Sequence, residues 1–298
     1  MRQNTSISGL GNCSTLRWML RFSGYGSIHY GVSQRYHTYF EPRHTTLLSF
    51  IKLQPLAFVA ILVVAWQIAV ERHPHSLLPG PWAVVLALAE LLRSGVLFKH
   101  IVASLFRVTW GFVLAAVLAI PAGLLIGWYR RAELAFNPII QILRPISPLA
   151  WIPVAILWFG VGDLASIFLI FVGCLLPLLL TAIEAVQSVP AVHVNAGRNF
   201  GLNPAQLLCR VLLPAAMPRL IVGLRITLGI AWLVVVAAEM IAVNSGLGFL
   251  IVDARNAGNR YDLVVAGMVM IGVIGLLLDI GMRSLQKVKS LQWGYSEE

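Results

Sequence analysis

Residues 101–128 form a run of 28 with one charged side chain, Arg107. A bilayer's hydrocarbon core, about 30 Å thick, is crossed by about 20 apolar residues in α-helical form. In lipid every backbone amide must find its partner within its own segment, which leaves the helix as the form available to a run of this kind. Comparable runs occur at 53–70, 164–186, 221–243 and 263–285, the first with Gln54 and Pro55 at its edge. Together with a proline-interrupted stretch at 137–160, they predict an all-α integral membrane protein of about six transmembrane helices. The residue content agrees, since 58% of the 298 residues are hydrophobic and 11% are charged, far from the balance of a soluble domain.

The net charge of +10 could point to nucleic acid, but Lys and Arg are scattered between apolar runs and form no patch with interleaved aromatics. A charge bias toward the cytoplasmic side accounts for it. With six spans both ends of the chain share one side, and ten loop-borne Lys and Arg, among them Arg130, Arg131, Arg198 and Arg210, fall there, against five on the other. That excess places both termini in the cytoplasm. Residues 1–46 read as a mobile or interfacial arm without a signal peptide's apolar core, with Met19 a candidate start for a shorter functional chain. The transmembrane body covers 47–290, and 291–298 form a cytoplasmic tail. Residues 82–92 are apolar but too short to span, and should pack at the surface or on neighbouring helices.

One polar interruption between spans has a readable architecture, VHVNAGRNFGLNPAQLLCRVLLPAAMP at 192–218, within a loop that extends from 188. Gly201 can end a first short helix in the left-handed conformation. Asn203, Pro204 and Gln206 then supply an N-cap, a first-position proline and the N3 partner of a capping box, and Pro214 and Pro218 are expected to bound the second helix. Two short helices meeting at a glycine make a protruding knuckle suited to a partner outside the membrane. Its spacing resembles the cytoplasmic "EAA" loop of ABC importer permeases, with Asn195, Ala196 and Gly197 at the triplet, then Gly201, then Val211, Leu213 and Pro214. Asn195 stands where that pattern has Glu, and Gly197 where it has Ala.

The stretch 137–160 holds Pro138, Pro145, Pro148 and Pro153, which cannot all sit inside one regular helix. Broken backbone at membrane depth is tolerated where it is buried in protein or lines a wet cavity, so this span is a candidate for the substrate path. Arg144, Ser147 and Trp151 lie in it and, with free amides, suit a small anion; the bland alternative is that Arg144 snorkels to the interface. Ionisable groups inside spans suggest function, and Arg107, Glu184, Arg225, Glu239 and Asp279 qualify. Glu239 is expected to bond neighbouring backbone or to shape a gate in the path. Glu184 is expected to pair with Arg225, and Asp279 with Arg283 four residues on.

No P-loop, H-E-x-x-H or G-x-S-x-G pattern occurs, and neither the histidines nor Cys13, Cys174 and Cys209 show ligand spacing. No catalytic residue, metal site or cofactor is therefore assigned to this chain. An ion-gradient-driven secondary transporter is the alternative, but such folds carry paired broken helices and this chain has proline-broken sequence in one half.

RPISPLAWIPVAILWFGVGD at 144–163 and GLRITLGIAWLVVVAAEMIAVNSGLGFLIVDARN at 223–256 resemble the permease subunits of the nitrate, sulfonate, taurine and bicarbonate branch of ABC importers. The resemblance implies a type I permease fold in the bacterial inner membrane, a homodimer, two ATPase subunits that bind ATP and Mg, and an external solute-binding protein. It also implies that the knuckle is the coupling element, with Leu202 and Leu208 as anchors in a groove of the ATPase. SPLAW and AAEM are similar to nitrate- and bicarbonate-type members, and NSGLG to sulfonate-type members, which implies import of a small oxyanion. Nucleic acid is excluded as a partner; membrane lipid is not.

Overall fold

The computed structural model describes residues 44–72, 78–256 and 258–286, and within them the chain is helical with short turns. The chain divides into two units at 57/58. The first contributes only the start of α1 (His44–Arg72) to the described residues. The expected arm, apart from 44–46, and the expected tail at 291–298 lie outside the described residues.

In chain order α1 is followed by α2 (Pro81–Arg93), α3 (Val96–Trp128), α4 (Arg130–Leu143), a short 3-10 turn (Pro148–Trp151), α5 (Ile152–Phe159) and α6 (Asp163–Gln187). Then come α7 (Ala191–Asn199), α8 (Pro204–Leu207), a π turn (Leu208–Leu212), α9 (Leu213–Ala242), α10 (Leu247–Asn256) and α11 (Tyr261–Gln286). Among the described residues four helices are long and apolar enough to cross a membrane, α3, α6, the run from α8 through α9, and α11. The pair formed by α4 and the segment Pro148–Phe159, bent by 82°, makes a fifth if it counts as one span. The six expected spans are thus not all found: the run at 53–70 falls in α1, whose side chains before residue 57 lie outside the described set.

Helices α3, α6 and α9 pack in sequence, and α11 closes on α9 and α2. The α3–α6 contact is close because glycines leave room for it. A Cβ at Gly111 would stand 2.6 Å from that of Ile170, and one at Gly123 would stand 2.7 Å from the Leu179 carbonyl. Backbones brought this near gain dispersion contacts that lipid tails do not replace. Pro121, inside α3, is exposed. The small residues Ala115, Ala119, Ala165 and Ala182 are fully buried along the same helices. Helix α2 is too short to span and packs on α3 and α11, as its length predicts.

Candidate functional site

The knuckle forms as its residues dictate. Gly201 has φ 76°, the left-handed conformation that only glycine adopts without steric cost, and its amide donates to the Arg198 carbonyl at 2.9 Å to close α7. Asn203 Oδ1 accepts from the Gln206 amide at 2.8 Å while Gln206 Oε1 accepts from the Asn203 amide at 3.1 Å, the reciprocal capping box.

The second helix does not stop at Pro214 or Pro218. It passes through the π turn into α9, where Pro214 lies in the first turn and Pro218 in the interior. The wider turn, in which the Leu213 amide donates back to the Leu208 carbonyl, takes up the register lost to a proline that has no N–H. The knuckle is therefore the foot of a membrane helix, and a push on it reaches α9 directly.

Of the expected coupling residues, Asn195, Ala196, Gly201 and Pro214 are exposed, while Leu202, Leu208, Val211 and Leu213 are half-buried against a small core of Leu207, Leu212, Ala216 and Leu220. Gly197 is buried because Leu207 fills the space where a side chain would stand. A groove of about 750 Å³ runs between α7 and the start of α9, with Gly197, Val211 and Leu213 in its wall and His193 and Arg210 among its polar groups. The most exposed apolar side chains on α7 and its cap are Phe200, at 85%, and Val192, at 74%. Neither was singled out as an anchor, although an apolar residue immediately before a tip glycine is a visible signal.

In the broken span the prolines divide the labour. Pro138 is accommodated inside α4, Pro148 and Pro153 open the 3-10 turn and α5, and the bend falls at 144–147. Ser147 Oγ accepts from the Leu149 amide at 3.3 Å and caps the 3-10 turn. Arg144 and Ser147 are exposed and Trp151 is half-buried.

Glu239 is elsewhere. It is fully buried and accepts from Arg107 at 2.7 Å, from Ser104 Oγ at 2.9 Å and from the Gly248 amide at 3.0 Å, so none of its partners is Arg144, Ser147 or Trp151. Arg107 is 1% exposed and uses all five of its N–H groups: Nε and Nη2 on Asp163 Oδ1, Nη1 on Glu239 and on the Ser245 carbonyl at 2.8 Å, and Nη2 also on Ser245 Oγ. A buried guanidinium with every donor placed, facing a buried carboxylate with three donors, satisfies the condition on which ionic groups are tolerated in a low dielectric. The cluster clamps α3, the start of α6, the end of α9 and the turn into α10 at the end of the bundle opposite the knuckle.

The other charged pairs differ in part from expectation. Arg225 pairs with Asp279 at 2.6 Å, and Glu184 with Arg219 at 3.5 Å; Glu184 and Arg225 do not pair with each other. Arg219 lies closer in sequence to the start of α9, level with the last turns of α6, whereas Arg225 is turned toward α11. Asp279 does pair with Arg283, at 2.9 Å. Among the described residues no group of three His, Cys, Asp or Glu side chains could hold a metal ion.

Residues 119–289 match the family described as "binding-protein-dependent transport system inner membrane component". The chain is 36% identical over 235 residues to the taurine transport system permease protein of Escherichia coli, covering 76% of this chain and 84% of that one. It is 36% identical over 247 residues to the bicarbonate transport system permease protein of Synechococcus elongatus, covering 79% of this chain and 88% of that one. The fold is similar to a chain of the MetNI methionine ABC transporter in an inward-facing conformation, with a TM-score of 0.58 at 21% identity, over 65% of this chain and 96% of that one. With a knuckle at the foot of one membrane helix, a bent proline-rich span and a family match across both, this chain belongs to the inner-membrane permease components of ABC transporters and has their type I fold.

Proposed function

We propose that this chain is the permease subunit of an ATP-driven, binding-protein-dependent importer of a small oxyanion of the nitrate, sulfonate, taurine or bicarbonate type. The observation that carries the reading is the knuckle, two short helices hinged at Gly201, capped by Asn203 and Gln206, and continuous through the π turn with a membrane helix. Such an element converts a force applied outside the membrane into tilt of a span. The family membership and the taurine and bicarbonate transport named for two relatives support the substrate class.

In this reading the chain works as a homodimer with two ATPase subunits, which carry the ATP and Mg, and receives its substrate from a solute-binding protein outside. Both termini and the knuckle face the cytoplasm. Closure of the ATPase subunits draws the two knuckles together and tips the spans so that the path opens outward; hydrolysis returns them. The bent span, with Arg144, Ser147 and Trp151, borders the path. The permease performs no bond chemistry. It contributes differential contacts to two states, which is the only way a ligand can shift an equilibrium.

The test is reconstitution in liposomes with the partner ATPase and binding protein, following uptake of labelled nitrate, taurine, an alkanesulfonate and bicarbonate. Uptake of one of them should require ATP and the binding protein. Uptake driven by an ion gradient without ATP would reject the reading.

A further inference from the structure

His100, Ser104 and Arg107 lie four and three residues apart on α3, at the spacing of one helical face. All three hold the same turn, the one that carries the chain from α9 into α10. His100 Nδ1 accepts the Gly246 amide at 2.9 Å, Ser104 Oγ accepts the Leu247 amide at 2.9 Å, and Arg107 donates to the Ser245 carbonyl at 2.8 Å. Glu239 takes the next amide, that of Gly248. Three successive amides at the start of α10 are thus bound by three side chains, and Phe249 of α10 stacks on the His100 ring at 6.2 Å between centroids.

These holders are not equivalent. A serine hydroxyl and an arginine keep their hydrogen-bonding character across the physiological range, whereas an imidazole does not. Accepting at Nδ1 requires that nitrogen to be bare, with the ring neutral and its proton on Nε2. When the ring gains a second proton, Nδ1 becomes a donor facing the Gly246 donor, and the bond cannot exist. The ring is only half-buried, so protons reach it. Lys99 and Arg107 from α3 and Asp253 from α10 act on it through their charges, and Glu239 of α9 and Asp163 of α6 are the other titratable groups of the clamp.

We propose that His100 is an acid-sensitive catch at the end of the bundle opposite the coupling knuckle: the neutral ring holds the start of α10 against α3, and protonation releases it. Gly246, with φ 107°, is the point at which the freed turn swings, because glycine alone crosses that region without steric cost. The catch makes transport fall on acidification of the side that the clamp faces. That consequence rests on the importer reading above; the release of the turn does not.

Hydrogen exchange of peptides spanning 243–250, in the full-length protein in nanodiscs and corrected for intrinsic rate, tests the release directly. Protection should be present at about pH 7.5 and fall at least several-fold at about pH 5.5, across the histidine range. His100→Gln, whose amide oxygen accepts at any pH, should stay protected at both. His100→Ala, which has no acceptor, should be unprotected at both. Corrected wild-type protection that does not change with pH overturns the proposal, and needs no variant to do so. Loss of protection in His100→Gln in parallel with the wild type also overturns it, by assigning the effect to the carboxylates. In the liposome assay, wild-type uptake should drop several-fold over the same range and His100→Gln uptake should not.

Discussion

At the scale of single residues, the strongest constraint is the Arg107–Glu239 pair, both members of which are buried. Removing one partner strands the other charge in a low dielectric, a loss of about 3–5 kcal/mol. Arg107→Met is therefore expected to lower thermal stability in detergent sharply, measured by size-exclusion recovery after heating. The double variant Arg107→Met with Glu239→Leu is expected to recover part of that loss, since an apolar pair of similar volume carries no stranded charge. A double variant less stable than the single one would refute this account. Arg107 and Glu239 both stand out in the sequence as charges inside apolar runs. Their pairing does not, because 132 residues separate them and nothing local selects one partner over another. The same gap explains why Glu184 met Arg219 and not Arg225: helical depth can be read from the chain, but the rotation of each helix about its axis cannot.

Among the elements, the knuckle was the most legible, because its determinants are short-range. Cap, capping box and left-handed glycine all act within a few residues of one another. Gly201→Pro is expected to abolish ATP-coupled uptake while leaving the protein in the membrane, since proline holds φ near −65° where this backbone has φ 76°. Normal uptake in that variant would remove the mechanical role of the knuckle. Asn203→Ala should be milder, costing about 1 kcal/mol of helix-start stability, and should weaken ATPase association measured by co-purification without abolishing it. The prolines behaved otherwise. Proline reads as a helix boundary on local grounds, yet Pro214 and Pro218 sit within the continuous run from α8 to α9, where a π turn takes up the register just before Pro214. Pro145 and its neighbours do bend the chain, by 82°. In that bend Arg144 is exposed, and Arg144→Ala is expected to reduce substrate-stimulated uptake if the anion passes it; unchanged kinetics would assign the side chain to the interface.

For the whole molecule, what matters is which end of the bundle holds which machinery. The knuckle lies at the foot of α9 and the Arg107 clamp at its far end, so a tilt of α9 is felt by both. Phe200, 85% exposed at the knuckle tip, provides a test of orientation. A cysteine placed there should react with an impermeant thiol reagent added from the ATPase side and should be shielded when the ATPase binds. Reaction only from the other side would invert the topology. The long apolar runs of α3, α6, α9 and α11, the bend at Pro145, the capping box and the tip glycine were readable from the chain, because each depends on contacts within one or two helical turns or on transfer of a segment into lipid. Which faces meet, which charges pair between helices, and how three α3 side chains come to grip two amides and a carbonyl of a turn some 140 residues later were settled only by packing. Those contacts depend on the rotation and close approach of whole helices, quantities to which every residue in the interface contributes and which no single stretch of chain specifies.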